Sequence, residues 1–231
     1  MTYTLFLGDR TYSTWSMRPW LLFDRFKIPH DVRTICFDDG LVPELLPEIA
    51  PAKTVPALRL PDGTVIGETL AIAEELASRH PDLPLWPVAP HARATARALS
   101  AEMATGFMAL RGACPMNLRK CYTDFAAPEA VTAELRRIET LWDHARDTCA
   151  PEGPWLCGAY GIVDAMYAPV AARIAGYQLN VSPSAQAYVD AHLAEPSFRR
   201  WRALALTHGP ELARYRMDLK STHWPGDAPA A

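Results

Sequence analysis

The sequence has no cationic excess, no long apolar run and no paired cysteines. Its 231 residues hold 23 Lys and Arg against 26 Asp and Glu, a formal net charge of −3. That balance gives no reason to expect nucleic acid as a partner. The locally basic residues 199–220 include Glu211 and Asp218, and read as a solvated helical face. No run approaches the roughly 18 consecutive apolar residues of a membrane span, so no membrane partner is expected. The N-terminus has no basic segment followed by an apolar one, so no signal peptide is expected and the cytoplasm is the expected location. The five cysteines, at positions 36, 114, 121, 149 and 157, are odd in number and form no C-x-x-C. This argues against a disulfide framework and for reduced thiols. Seven histidines are scattered, without H-E-x-x-H or paired Cys/His spacing, so no metal is expected. G-x-S-x-G, the phosphate-binding P-loop and G-x-G-x-x-G are absent too, which leaves a serine hydrolase without support.

What is present is ordinary globular material: 49% hydrophobic and 21% charged residues, in a chain long enough for one core or two smaller domains. The first eighty residues alternate between strand and helix patterns. Residues 4–7 are a short apolar run ending at Gly8, and a helix is expected over about 16–26. Pro19 fits there, because the first turn of a helix needs no donated backbone hydrogen bond. Residues 31–36 alternate as a second strand, and 41–49 read as a short, proline-interrupted helical piece. Two β segments in residues 54–67 flank Pro61-Asp62-Gly63, a hairpin signal. Residues 68–80 then carry Leu70, Ile72, Ala73, Leu76 and Ala77 at helical spacing. The order β-α-β-(α)-β-β-α predicts a right-handed parallel crossover, an antiparallel hairpin and a covering helix.

Residues 81–90 (PDLPLWPVAP) hold four prolines and read as a linker. Beyond it the pattern is helical: 91–110, a helix with Val131, Leu135, Ile138 and Trp142 on one face, then 161–176, 183–194 and 196–206. The expected organisation is an α/β domain over 1–80, the linker 81–90, an all-helical domain over 91–224 and a disordered tail over 225–231.

Three stretches carry chemistry. In TVPAL (54–58), a proline precedes an expected strand. In GETLAI (67–72), Glu68 and Thr69 open a helix, whose free amide donors suit a carboxylate; taken alone they read first as helix caps. In YSTWSMRPW (12–20), two serines three apart stand at a strand-to-helix turn, either as caps or as donors to an anion.

Together these stretches resemble the cytosolic glutathione transferases, in a bacterial form with a serine-type, zeta- or theta-like turn. The resemblance implies an N-terminal thioredoxin-like domain followed by a helical bundle domain. It implies a cis Val55–Pro56 bond, with the Val55 backbone pairing with the cysteine moiety of glutathione. Glu68 and Thr69 would receive its γ-glutamyl end. Ser13-Thr14-Trp15-Ser16 replaces the C-x-x-C of glutaredoxin-like relatives, which argues against a disulfide reductase. S-T-W-S-x-R is similar to the zeta-class S-S-C-S-x-R, and makes Ser13 the catalytic residue. Tyr12 is the competitor, while Thr14 and Ser16 assist. Lys53 reads as a partner of the glycine carboxylate or as a surface charge. In G-I-V-D-A (161–165), Asp164 is expected at N3 of a buried helix, with Gly161 lacking the reciprocal half of the capping box.

By the same resemblance, glutathione is co-substrate with a small electrophile, no metal takes part and the protein is a homodimer. A free thiol has a pKa of about 8.5. Lowering it by about 2 units takes about 2.7 kcal/mol, within reach of one charge-assisted hydrogen bond and a helix dipole. Arg18 adds positive potential or makes a structural ion pair. Trp15, Phe107, Met108, Arg111, Tyr167 and Arg173 are the candidate walls of the electrophile site, and an inward Arg111 or Arg173 implies a carboxylate-bearing substrate. The expected activity is conjugation or zeta-like isomerisation; the alternative is a binding or scaffold protein on the same fold.

Overall fold

The structure, a computed structural model, describes residues 2–38 and 47–225. Strand β1 (Tyr3–Leu7) pairs in parallel with β2 (His30–Thr34), which helix α1 (Thr14–Arg25) connects to it. On its other side β1 pairs antiparallel with β3 (Ala57–Arg59), and β3 with β4 (Val65–Gly67), giving the order β2-β1-β3-β4. Leu60 and Thr64 extend the hairpin by one bond, and Gly63 closes its tip at φ +92°. A β-carbon is rarely tolerated there, and glycine takes that conformation without cost. Alternate residues of β1 face opposite sides. Leu5 and Leu7 enter the main core, while Phe6 packs with Ile35, Ile49, Val55 and Ala57 in a smaller cluster. Helix α2 (Thr69–Arg79) packs against α1.

The rest is helical: α3 (Pro90–Thr105), α4 (Met108–Ala113), α5 (Glu129–Cys149), α6 (Ile162–Tyr177), α7 (Pro183–Ala194) and α8 (Pro196–Thr207). This is an N-terminal thioredoxin-like domain followed by a helical domain, as the resemblance implied. Helix α6 is buried along its whole length, and α1 packs on it and on α8. No described helix is long and apolar enough to cross a membrane.

Four details differ from the sequence reading. Helix α1 begins at Thr14 with Ser13 as N-cap, so Pro19 sits in its second turn and not its first. The helix expected over 91–110 ends at Thr105, because Gly106 is extended and Phe107 is left-handed at φ +59°. Of the 41–49 piece, Pro47–Ile49 is a 3-10 turn and residues 41–46 lie outside the described residues; so does the expected tail, apart from Pro225. The basic stretch is helical only to Thr207. It then folds back, with a 3-10 turn at Ala213–Tyr215 and β6 (Ser221–Thr222) paired antiparallel to β5 (Cys121–Tyr122).

Candidate functional site

The turn between β1 and α1 is built by Asp9, which the motif search missed. Its carbonyl accepts from the amides of Tyr12 (3.1 Å) and Ser13 (2.8 Å). Its carboxylate accepts from the Phe37 amide at 2.7 Å. Ser13 is thereby set at the N-cap, with its Oγ accepting from the Ser16 amide at 3.3 Å and donating to Ser16 Oγ at 2.8 Å. Ser16 Oγ also accepts from the Gly8 amide at 2.9 Å. Both serines are buried, but Ser13 borders a cavity and Ser16 lies behind it. The signal for Asp9 was available, since an Asp just past a strand-ending glycine is a turn former.

That cavity, of about 590 Å³, runs between the sheet domain and the helices. Tyr12, Ser13, Thr14 and Trp15 line it from the turn, Val55 and Pro56 from the β3 approach, and Glu68 and Thr69 from the start of α2. The Val55–Pro56 bond is cis, as the sequence reading expected. Met108, Arg111 and Arg173 close the helical side; Phe37, Met116 and Tyr215 are lining residues that no motif signalled. Lys53 is exposed and does not line the cavity. Phe107 and Tyr167 belong to the core and not to the wall: Phe107 is buried, and the Tyr167 hydroxyl donates to Leu99 O at 3.2 Å.

Tyr12 borders the cavity with its hydroxyl engaged as an acceptor. It accepts from the Leu212 amide at 3.0 Å, its ring stacks on Tyr215 at 4.6 Å, and burial raises its pKa. The Thr69 hydroxyl proton is committed, for a reason that lies in α1. Pro19 has no amide to donate to the carbonyl four residues back, that of Trp15. Thr69 Oγ1 donates to that carbonyl instead, at 3.1 Å. The Thr69 hydroxyl therefore docks α2 on α1. Glu68, the N-cap of α2, is exposed, makes no side-chain cap and stands at φ +62°.

Two arginines, Arg111 and Arg173, line the far wall, and a third, Arg18, lies buried within electrostatic reach of both; none of the three forms an ion pair among the described residues. Arg18 is buried, donating to Met166 O (2.9 Å) and Thr14 O (3.0 Å). Arg173 is buried and donates to Cys114 O at 2.8 Å, and Arg111 donates to Gly106 O at 3.3 Å. The Trp15 ring carries the guanidiniums of Arg18 at 4.3 Å and Arg111 at 4.8 Å from its centroid. Burial holds Arg18 well below the usual guanidinium range, with Arg173 and Arg111 adding repulsion. Arg173 is lowered to about 10, again chiefly by burial. The structural ion pair for Arg18 is absent among the described residues. Carbonyl dipoles stand in for it, and on the cavity wall itself Arg111 and Arg173 stand with one carboxylate, that of Glu68. Among the described residues no group of three or more His, Cys, Asp or Glu could hold a metal.

The order of elements, the cis bond and the cavity between sheet and helices define the fold of the glutathione transferases. Residues 12–79 match the family model described as "Glutathione S-transferase, N-terminal domain". The chain is 38% identical over 101 residues to a probable maleylacetoacetate isomerase of Caenorhabditis elegans, covering 44% of this chain and 46% of that protein. It is 33% identical over 89 residues to a maleylacetoacetate isomerase of Dictyostelium discoideum, covering 38% and 40%. The chain thus spans less than half the length of these curated relatives. A solved glutathione transferase homologue from Burkholderia, crystallised with bound glutathione, superposes with a TM-score of 0.68 over 90% of this chain and 100% of its own, at 22% identity.

Proposed function

We propose that this chain is a glutathione-dependent enzyme that holds glutathione as a thiolate and adds it to a small anionic electrophile, by conjugation or by isomerisation through a transient thiol adduct. The observation that carries the reading is the placement of Ser13, Val55–Pro56 and the amide end of α2 around one cavity whose far wall holds Arg111 and Arg173, without an ion-pair partner among the described residues. In this reading the Val55 backbone aligns the cysteine moiety, and Glu68 and the first amides of α2 take the γ-glutamyl end. Ser13 turns its hydroxyl proton from Ser16 to the sulfur. Ser16, its oxygen pinned by the Gly8 amide, then donates to Ser13 Oγ, so the second serine backs the first. The N-terminus of α1 and the arginines favour the anion over the thiol. Arg111 and Arg173 orient the electrophile's carboxylate, in keeping with the names of the two isomerase relatives.

The test is the ultraviolet thiolate absorbance of bound glutathione against pH. The midpoint is expected about 2 units below the free thiol's 8.5. Ser13→Ala is expected to raise it by about 1–2 units, because a hydrogen bond to a charged acceptor is worth about 1.5–3 kcal/mol. An unchanged midpoint removes Ser13 from the mechanism. No binding at millimolar glutathione removes the enzyme reading and leaves the fold as a scaffold. The same reading expects a cytoplasmic homodimer, which sedimentation equilibrium checks for its stoichiometry.

A further inference from the structure

A second cavity, of about 410 Å³, shares no lining residue with the first. Its walls are Trp86, Val88 and His91 from the proline-rich segment and the start of α3, and Cys149 and Cys157 from the end of α5 and the approach to α6. The two cysteines stand eight positions apart. A reversal brings them together: Ala150 is left-handed at φ +42°, Gly158 has φ +113°, and Arg146 ties the intervening loop by donating to Pro154 O at 2.5 Å. Both thiols are free, Cys149 half-buried and Cys157 buried. Both line the wall of this one cavity, and burial, with Cys149 as neighbour, raises the pKa of Cys157. Neither thiol has a role in the chemistry proposed above.

We propose that Cys149 and Cys157 are an oxidisable dithiol, a modification site that reacts with small-molecule disulfides admitted by the second cavity. The accessible Cys149 attacks as thiolate. Its sulfur bonds to one sulfur of the small disulfide, whose S–S bond breaks, and the departing thiolate takes up a proton. Cys157 then loses its proton to solvent and attacks the Cys149 sulfur, forming the internal disulfide and expelling the second small thiolate, which is protonated in turn. The protein dithiol is oxidised, the small disulfide is reduced to two thiols, and no other oxidant is needed. Since the buried Cys157 is seldom ionised, the second step is the slow one. The cavity is roomy enough to hold the small thiol's residue during that delay, being within the roughly 300–1,000 Å³ of ordinary ligand sites.

The experiment equilibrates the full-length protein with glutathione disulfide, blocks remaining thiols and reads intact mass and the peptide map. The expected result is a loss of two hydrogens and a linked Cys149–Cys157 peptide, with two of the five thiols no longer titratable in denaturant. Cys157→Ser should instead stop at a stable mixed disulfide on Cys149, and Cys149→Ser should abolish both products. Ser13→Ala should leave the outcome unchanged, which separates this site from the first cavity. The proposal is overturned if the native wild-type protein yields no Cys149–Cys157 link, or yields it only after unfolding in urea. Persistent glutathionylation of Cys149 in the wild type would overturn it equally.

Discussion

Two helix starts in this molecule are built from nearly the same parts and do opposite things. Helix α1 begins behind a buried turn at Ser13 and has a proline, Pro19, in its body; α6 begins behind a buried turn at Gly161 and contains Pro169. At α6 a single acid answers three donors. Asp164 Oδ2 accepts from the Gly161 amide at 3.0 Å, and its Oδ1 accepts from the Leu156 amide (3.1 Å) and the Tyr188 hydroxyl (2.8 Å). Glycine offers no reciprocal cap, yet the acid alone closes the turn. At α1 the acid, Asp9, is set back in the preceding turn and takes the Phe37 amide. A hydroxyl caps the helix instead, the turn opens on a cavity, and Arg111 and Arg173 line its far side. A start sealed by its own anion is structural. One capped by a hydroxyl beside a cavity has room for a foreign anion.

The contrast breaks most visibly at Asp164. Asp164→Ala leaves two buried amides and a buried hydroxyl without an acceptor, and should cost about 3–4 kcal/mol in urea unfolding. A loss under about 1 kcal/mol would mean that α6 does not depend on its acid. Ser13→Ala should behave differently. It should lose only about 1 kcal/mol of stability, the usual worth of a cap, while thiol-addition turnover falls by about tenfold or more, following the raised thiol pKa. Equal damage to stability and chemistry would erase the distinction between the two turns. Thr69→Val keeps shape but removes the donor to Trp15 O, and should cost about 1 kcal/mol. Its signature is weakened glutathione binding by calorimetry, where an unaltered affinity would show that α2 needs no such anchor.

The smallest effect at neutral pH belongs to His192. Its ring is buried among Trp155, Tyr160 and Tyr188, without a protein partner for either nitrogen among the described residues. Burial lowers its pKa to about 3. The unfolded chain, with an ordinary histidine pKa of about 6.5, therefore binds the proton first. Stability falls as pH drops below about 6.5, by about 1.4 kcal/mol at pH 5.5. Asp164, raised to about 6 by burial, acts with the opposite sign, because the folded state binds its proton first and regains stability on acidification. His192→Phe should be near neutral at pH 7.5 and should remove the histidine's share, so the difference between variant and wild type widens in acid. A constant difference would contradict the assignment.

Much of this was legible in the sequence because it is local. A strand ending in Gly8, the Asp-Gly hairpin and the spacing of Leu70, Ile72, Ala73 and Leu76 each declare an element within a few residues. TVPAL and GETLAI declare a site because their order along the chain constrains their place in the fold. The parts that stayed hidden are non-local. Tyr215 meets Tyr12 only because the chain folds back after Thr207, and nothing near residue 215 announces it. Arg18 looked equally suited to an ion pair, and only packing against Met166 and Trp15 shows that no carboxylate among the described residues reaches it. Phe107 and Tyr167 were misread as cavity walls because helical periodicity tells inside from outside, but does not tell one inside from another.

The bond from Thr69 to the Trp15 carbonyl has a further consequence. A proline mid-helix is ordinarily a flaw, and here the flaw is the joint. The Trp15 carbonyl goes unanswered unless α2 sits at one height and one rotation relative to α1. The spacing between Ser13 and Glu68, the two ends of the ligand cradle, is thus gauged by a single missing amide hydrogen. Replacing Pro19 with a residue that restores that hydrogen would mend the helix and loosen the gauge.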